Sequence, residues 1–178
     1  MMTGLTGEAI AEVGQWYKLY SVNDARSLFG AGSVGALMAI QHFATCPELP
    51  LFMAPLPAPT GTGAQAAVFK MTVSGPATGS GILSIAVLDM QFAIGVIVGS
   101  TAASVTSALV AAFNANTDFP FVATIDNGDI VLTSKTTGPA GNWFSPVFNP
   151  NFGERSPMVS RSRSSRPRRV RAASIRPR

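Results

Sequence analysis

Two apolar runs, Phe121 to Ile125 and Asp129 to Ser134, are separated by Asp126-Asn127-Gly128. An Asn-Gly pair between alternating strands is the strongest short-range hairpin signal, because both central residues of the favoured turn take positive φ. This segment must fold as an antiparallel pair, and it sets the class of everything upstream. Ala67 to Ser74 alternates as a strand, and Gly75 to Gly81 is a turn-rich loop. Ile82 to Leu88 and Phe92 to Val98 read as a second hairpin around Asp89-Met90. Ser100 or Thr101 caps a helix to about Ala115, with Val105, Leu109 and Phe113 along one face. The order β-β-β-α-β-β predicts an α+β fold: small antiparallel or mixed sheets with one or two covering helices.

The apolar stretch from Gly81 to Gly99 has Asp89 and Gln91 in its middle. A charge at mid-span is costly in a bilayer, so two strands are the better reading. Upstream, Asn23 or Asp24 can cap a short helix ending at Phe29, with Gly30 as its stop. Ser33 can cap a second helix, Val34 to Thr45, with Leu37, Ile40 and Ala44 on one face. Leu49 to Ala54 suits a strand end between Pro47 and Pro55. The expected organisation is a partial core segment over residues 1–57, a Pro/Gly/Thr linker over 58–66, a β-β-β-α-β-β subdomain over 67–150, and a disordered Arg-rich tail over 151–178.

Charge divides the chain in the same way. The net charge is +4, but residues 1–150 hold four basic and eight acidic side chains, a balance of −4. Residues 151–178 hold nine Arg against Glu154, a balance of +8. The mean describes neither part. Charged residues are only 12% of the whole, about half the share common in soluble domains.

The chemistry on offer is thin. One Cys, Cys46, precludes an internal disulfide, and with one His, His42, it makes no Cys/His zinc cluster. A nucleophilic triad would have to use His42 itself, and no G-x-S-x-G elbow accompanies it. Cys46 has no basic neighbour in sequence and reads as a small apolar residue. Gly30-Ala-Gly32-Ser-Val-Gly35 matches a dinucleotide pattern, but a helix precedes it where a strand is required. Asp126, Asn127 and Asp129 resemble part of a calcium loop, yet Thr137 stands where the twelfth-position Glu belongs. The expectation is no catalytic residue, no cofactor, no metal and no enzyme. No secretory signal is read from Met1 to Val13.

In their order these residues resemble the contractile-tail sheath proteins of Mu-type bacteriophages. The resemblance begins at Ser21-Val-Asn-Asp-Ala-Arg-Ser-Leu-Phe-Gly-Ala-Gly-Ser33 and continues at Pro47-Glu-Leu-Pro-Leu-Phe-Met-Ala-Pro-Leu56. It runs on through the helix ending Phe113-Asn-Ala-Asn116 to Thr133-Ser-Lys-Thr-Thr-Gly-Pro-Ala-Gly-Asn142, and so spans about residues 15–150. It implies a structural virion protein that polymerises around a tail tube. The implied partners are other sheath subunits and the tube protein, with no small-molecule substrate and no membrane. The implied location is the virion tail, and the host cytoplasm before assembly. Family members are longer and begin with an arm that reaches neighbouring subunits. The resemblance therefore implies an internal fragment, cut at both ends and unable to build a contractile sheath alone.

Residues 158–178 hold eight Arg and no acid. Three readings stand. One is a solvated disordered tail. Another is a nucleic-acid arm contacting phosphate through Arg161, Arg163, Arg166, Arg168, Arg169 and Arg171. The third is a frameshift product. Ser and Arg codons shifted back by one base become alternating apolar and small residues, as in a strand. The frameshift fits a cut sheath sequence best, and a small nucleic-acid-binding protein is the alternative function.

Overall fold

The computed structural model describes residues 2–3, 9–59, 61, 64–138, 141, 146–149 and 159–164. These form an α+β fold of small sheets with covering helices, as the pattern predicts.

The Asp126-Asn127-Gly128 signal produces the expected hairpin. Strand β8 (Phe121–Asp126) pairs antiparallel with β9 (Asp129–Thr137), and Asp126 sits opposite Asp129. Asn127 and Gly128 take φ of 50° and 86°, as the turn demands. On its other side β9 pairs with β5 (Ala66–Ser74), and β5 with β11 (Val159–Ser164), giving the order β11-β5-β9-β8. The second hairpin, β6 (Gly81–Val87) and β7 (Met90–Val96), belongs to a separate three-stranded sheet with β10 (Val147–Phe148), in the order β10-β6-β7. Its turn is Leu88-Asp89, one residue earlier than expected. Leu88 takes φ 57°, a conformation an apolar side chain rarely adopts and sequence does not signal.

Helix α3 (Ala102–Ala115) packs against β7, β8 and β5, and so lies beneath both sheets. Thr101 is its cap, accepting from the Ser104 N–H at 3.2 Å. Val105, Leu109 and Phe113 are buried as predicted. Around Phe113 the core is a chain of rings. Phe92, Phe113 and Phe119 lie 4.8 to 5.2 Å apart, and Phe121 continues the chain to Phe69. Edge-to-face and offset pairs of this kind add to the burial of each ring.

The N-terminal lobe is smaller. Strands β2 (Tyr17–Leu19) and β3 (Leu51–Met53) form an antiparallel ribbon, and β1 (Met2–Thr3) pairs parallel with β4 (Pro55–Leu56). Helix α1 (Val22–Phe29) is capped by Ser21, not by Asn23 or Asp24. Ser21 accepts from the Asp24 N–H, and Asp24 reaches back to the Ser21 N–H at 3.0 Å, a reciprocal capping box. Helix α2 (Val34–Thr45) starts at the predicted Ser33 cap. Its buried face is Gly35, Ala36 and Ala39, while Leu37 and Ile40 are half-buried and Ala44 is exposed. The expected face of Leu37, Ile40 and Ala44 is thus corrected. Close packing against α1 favours small side chains, so the larger ones turn outward.

Of the expected Arg-rich tail, 151–178, only Val159–Ser164 lies among the described residues, and these six pair with β5 from Ser74 to Phe69. Val-Ser-Arg-Ser-Arg-Ser has a period of two and contains neither Pro nor Gly, so it can extend a sheet that otherwise ends at β5. Among the described residues, no helix is long and apolar enough to cross a membrane.

Candidate interaction surfaces

The residues singled out for chemistry lie apart. His42 donates from Nε2 to the Leu49 carbonyl at 2.9 Å and meets Phe43 edge-on, so its ring ties α2 to the following loop. Cys46 is the C-cap of α2. Gly30 to Ser33 is the turn between α1 and α2, as the helix-to-helix reading requires, and Gly35 lies in the first turn of α2. Asp129 of the acidic turn pairs with Lys70 at 2.8 Å. That ammonium, and then a hydrogen bond from Thr72, hold the Asp129 carboxyl below its ordinary range. Among the described residues, no group of three or more His, Cys, Asp or Glu could hold a metal ion. Of the six arginines proposed for nucleic acid, Arg161 and Arg163 stand in β11, opposite Thr72 and Lys70. Arg166, Arg168, Arg169 and Arg171 lie outside the described residues.

What the fold does assemble is a lobe junction and several surfaces. At the junction Arg26 grips Asp118 through one guanidinium edge, Nε donating to Oδ1 at 2.9 Å and Nη2 to Oδ2 at 2.5 Å. The hydrogen bond to Asp118 raises the Arg26 pKa above its ordinary value. Lys135 donates to the Thr117 carbonyl at 2.9 Å and to the Ala31 carbonyl at 3.5 Å. Between these bonds Gly32, at φ 74°, lies so close to the β lobe that a Cβ there would sit 2.6 Å from the Phe119 oxygen. Only glycine fits both the conformation and the approach. No motif marks this junction in the sequence, since Arg26 and Asp118 are 92 residues apart.

The outward side chains of α2 then form one wall of an apolar groove of about 600 Å³. Val34, Leu37, Met38 and Ile40 face Leu88 and Met90 of the β6–β7 turn, and Gln41 donates to Asp89 at 3.2 Å. A second surface covers the outer face of the β2–β3 ribbon. Trp16, Tyr20 and Phe52 are 75%, 66% and 58% exposed. Lys18 lies over both the Tyr20 and Phe52 rings, at 4.9 and 5.6 Å from their centroids. Alternation along the strand explains the arrangement: the intervening Leu19 is fully buried.

One sheet edge is closed from within. Strand β8 ends the four-stranded sheet, and Asn114 of α3 lies against it. The Asn114 amide donates to the Ala123 carbonyl at 2.8 Å and accepts from the Ala123 N–H at 3.0 Å. A side-chain amide here takes the place of a neighbouring strand.

No protein-family model matches the chain. In sequence it is similar to the Mu-like prophage FluMu tail sheath protein of Haemophilus influenzae, with 32% identity over 148 residues. The match takes in 83% of this chain and 30% of that protein, so the chain spans under a third of its curated relative. A match of that length within 178 residues takes in α2 and the β8–β9 hairpin. What the chain resembles is therefore one portion of a Mu-like tail sheath protein, across both lobes.

Proposed function

We propose that the chain is a structural, non-enzymatic part of a contractile phage tail sheath of the Mu-like type. It acts by contact with further sheath subunits and, through them, with the tail tube. One observation carries this reading: 32% identity, sustained over 83% of the chain, to a protein named as a tail sheath. The surfaces support it. A polymer subunit works by burying its surface against neighbours, and interface cores favour aromatic and aliphatic side chains over charge. The exposed Trp16, Tyr20 and Phe52 and the α2 groove are surfaces of that composition.

The test is copolymerisation. The full-length Haemophilus relative is polymerised with and without this chain, and the polymer is pelleted. The chain is expected in the pellet, in proportion to polymer. A chain that remains in the supernatant at every ratio contradicts the reading.

A further inference from the structure

Among the described residues, strand β7 is an edge of the three-stranded sheet. Antiparallel pairs alternate between hydrogen-bonded and non-bonded positions, which decides where each residue's N–H and C=O point. Ser84 of β6 commits its backbone to the β10 side: its carbonyl accepts from the Asn149 N–H, and its N–H donates to the Asn149 side chain. Its partner across the hairpin, Ala93, therefore turns its own N–H and C=O away from β6. Gln91 and Gly95, two residues either side, do the same. These backbone groups have no partner among the described residues. All three residues are exposed, and a Cβ on Gly95 would meet nothing within 4 Å.

The other edges of the two larger sheets differ. Asn114 occupies the Ala123 backbone midway along β8. Strand β11 carries two arginines, and β10 has only two residues. Strand β7 has seven residues with neither charge nor proline. An edge of that kind pairs with another strand unless something prevents it.

We propose that β7 is a strand-pairing interface between two copies of this chain, antiparallel and related by a two-fold axis at Ala93. The free groups lie at 91, 93 and 95, symmetric about that residue. The axis sets Ala93 opposite Ala93 of the second copy and Gln91 opposite its Gly95. Three free donors and three free acceptors on each strand then all find partners. The same operation does something the edge alone does not require. Continued outward, it brings the Ile97-Val98 tip of the second copy toward the Leu88-Asp89 turn. Ile97 and Val98 are 71% and 64% exposed on a loop tip, and Leu88 is at the mouth of the α2 groove. An unpaired edge, an exposed aliphatic tip and an apolar groove are thus satisfied by one symmetry axis. Such an interface is self-complementary and closes as a dimer.

The proposal stands on strand geometry and does not rest on the tail-sheath reading. A chain that dimerises yet ignores sheath polymer, or the reverse, separates the two. Sedimentation equilibrium of the full chain tests it. The wild type is expected to approach twice 18.5 kDa as concentration rises. Ala93→Pro is expected to sediment as a monomer with an unchanged circular dichroism spectrum, since the N–H it removes serves no bond within the hairpin. Val98→Asp, far from that ladder, is expected to weaken association in the same direction. In a Cys46→Ser background, Ala93→Cys should cross-link on oxidation and Gln91→Cys should not. A wild type that is monomeric up to its solubility limit overturns the proposal. So do variants that associate as tightly as wild type, or cross-linking that favours Cys at 91.

Discussion

The two lobes solve the burial problem differently. The β lobe turns its largest side chains inward: Phe113, Phe119, Phe121, Leu109 and Leu132 are all at or below 2% exposure. The N-terminal lobe buries Ala25, Phe29, Ala36 and Ala39, and leaves Trp16, Tyr20, Phe52 and Met38 outside. Burial stabilises in proportion to apolar area, so the first lobe holds itself together and the second has less to work with. The difference teaches where the N-terminal lobe gets its order: from the junction at Arg26, Gly32 and Lys135.

The largest effect should come from the β-lobe core. Phe113→Ala removes a ring that touches both Phe92 and Phe119, and core truncations of this kind cost about 3–5 kcal/mol. Chemical denaturation should show both lobes lost together. Phe29→Ala, in the smaller core, should loosen the N-terminal lobe while the near-ultraviolet signal of the β-lobe rings persists. If Phe29→Ala abolishes that signal too, the lobes are equals.

Next comes the junction. Gly32→Ala places a methyl group against the Phe119 carbonyl at a strained φ, and should cost about 2 kcal/mol. Arg26→Ala breaks the grip on Asp118. Because Arg26 is 38% exposed, water replaces part of that bond, and the loss should be about 1 kcal/mol. Differential scanning calorimetry of both variants should show an earlier N-terminal transition with the β-lobe transition little moved. A uniform shift of a single transition would erase the distinction. Ser21→Ala should cost about 1 kcal/mol through the lost α1 cap, seen as a local drop in α1 amide protection.

The smallest effect is acid sensitivity. The Tyr20 N–H, and then bonds with Ser21, hold the Asp24 carboxyl below its ordinary 3.8, despite an opposing desolvation. Its lowered folded pKa means that the unfolded chain binds the proton more readily. The contribution of Asp24 is therefore complete above its ordinary value and fades as pH falls through its folded one. Asp129 behaves likewise in the β lobe. Asp24→Asn should flatten the acid limb of helical ellipticity below about pH 4, and Asp129→Asn should leave that limb unchanged.

Most local structure was legible because local chemistry decides it. Ser33 and Thr101 cap where hydroxyls precede apolar helices, and Asn127-Gly128 turns where two positive φ values are needed. Where tertiary contacts decide, the sequence is silent. The two hairpins enter different sheets because β9 pairs with the distant β5. The face α2 buries is set by α1, and the Leu88 turn by strand register. The Ser-Arg alternation reads as a charged tail until β5 offers it an edge. Surfaces were the least legible. Asn114 on Ala123 and Arg26 on Asp118 join positions with no shared motif, while the residues weighed for chemistry in the sequence, His42, Cys46 and Asp126, converge on nothing among the described residues.

Native-state hydrogen exchange of the whole chain tests the inequality of the lobes most directly. Amides of Leu109 and Leu132 should exchange only through global unfolding, and those of Ala39 and Leu19 through a lower-energy opening that Arg26→Ala lowers further. Equal opening free energies in both lobes, responding equally to Arg26→Ala, would contradict the account.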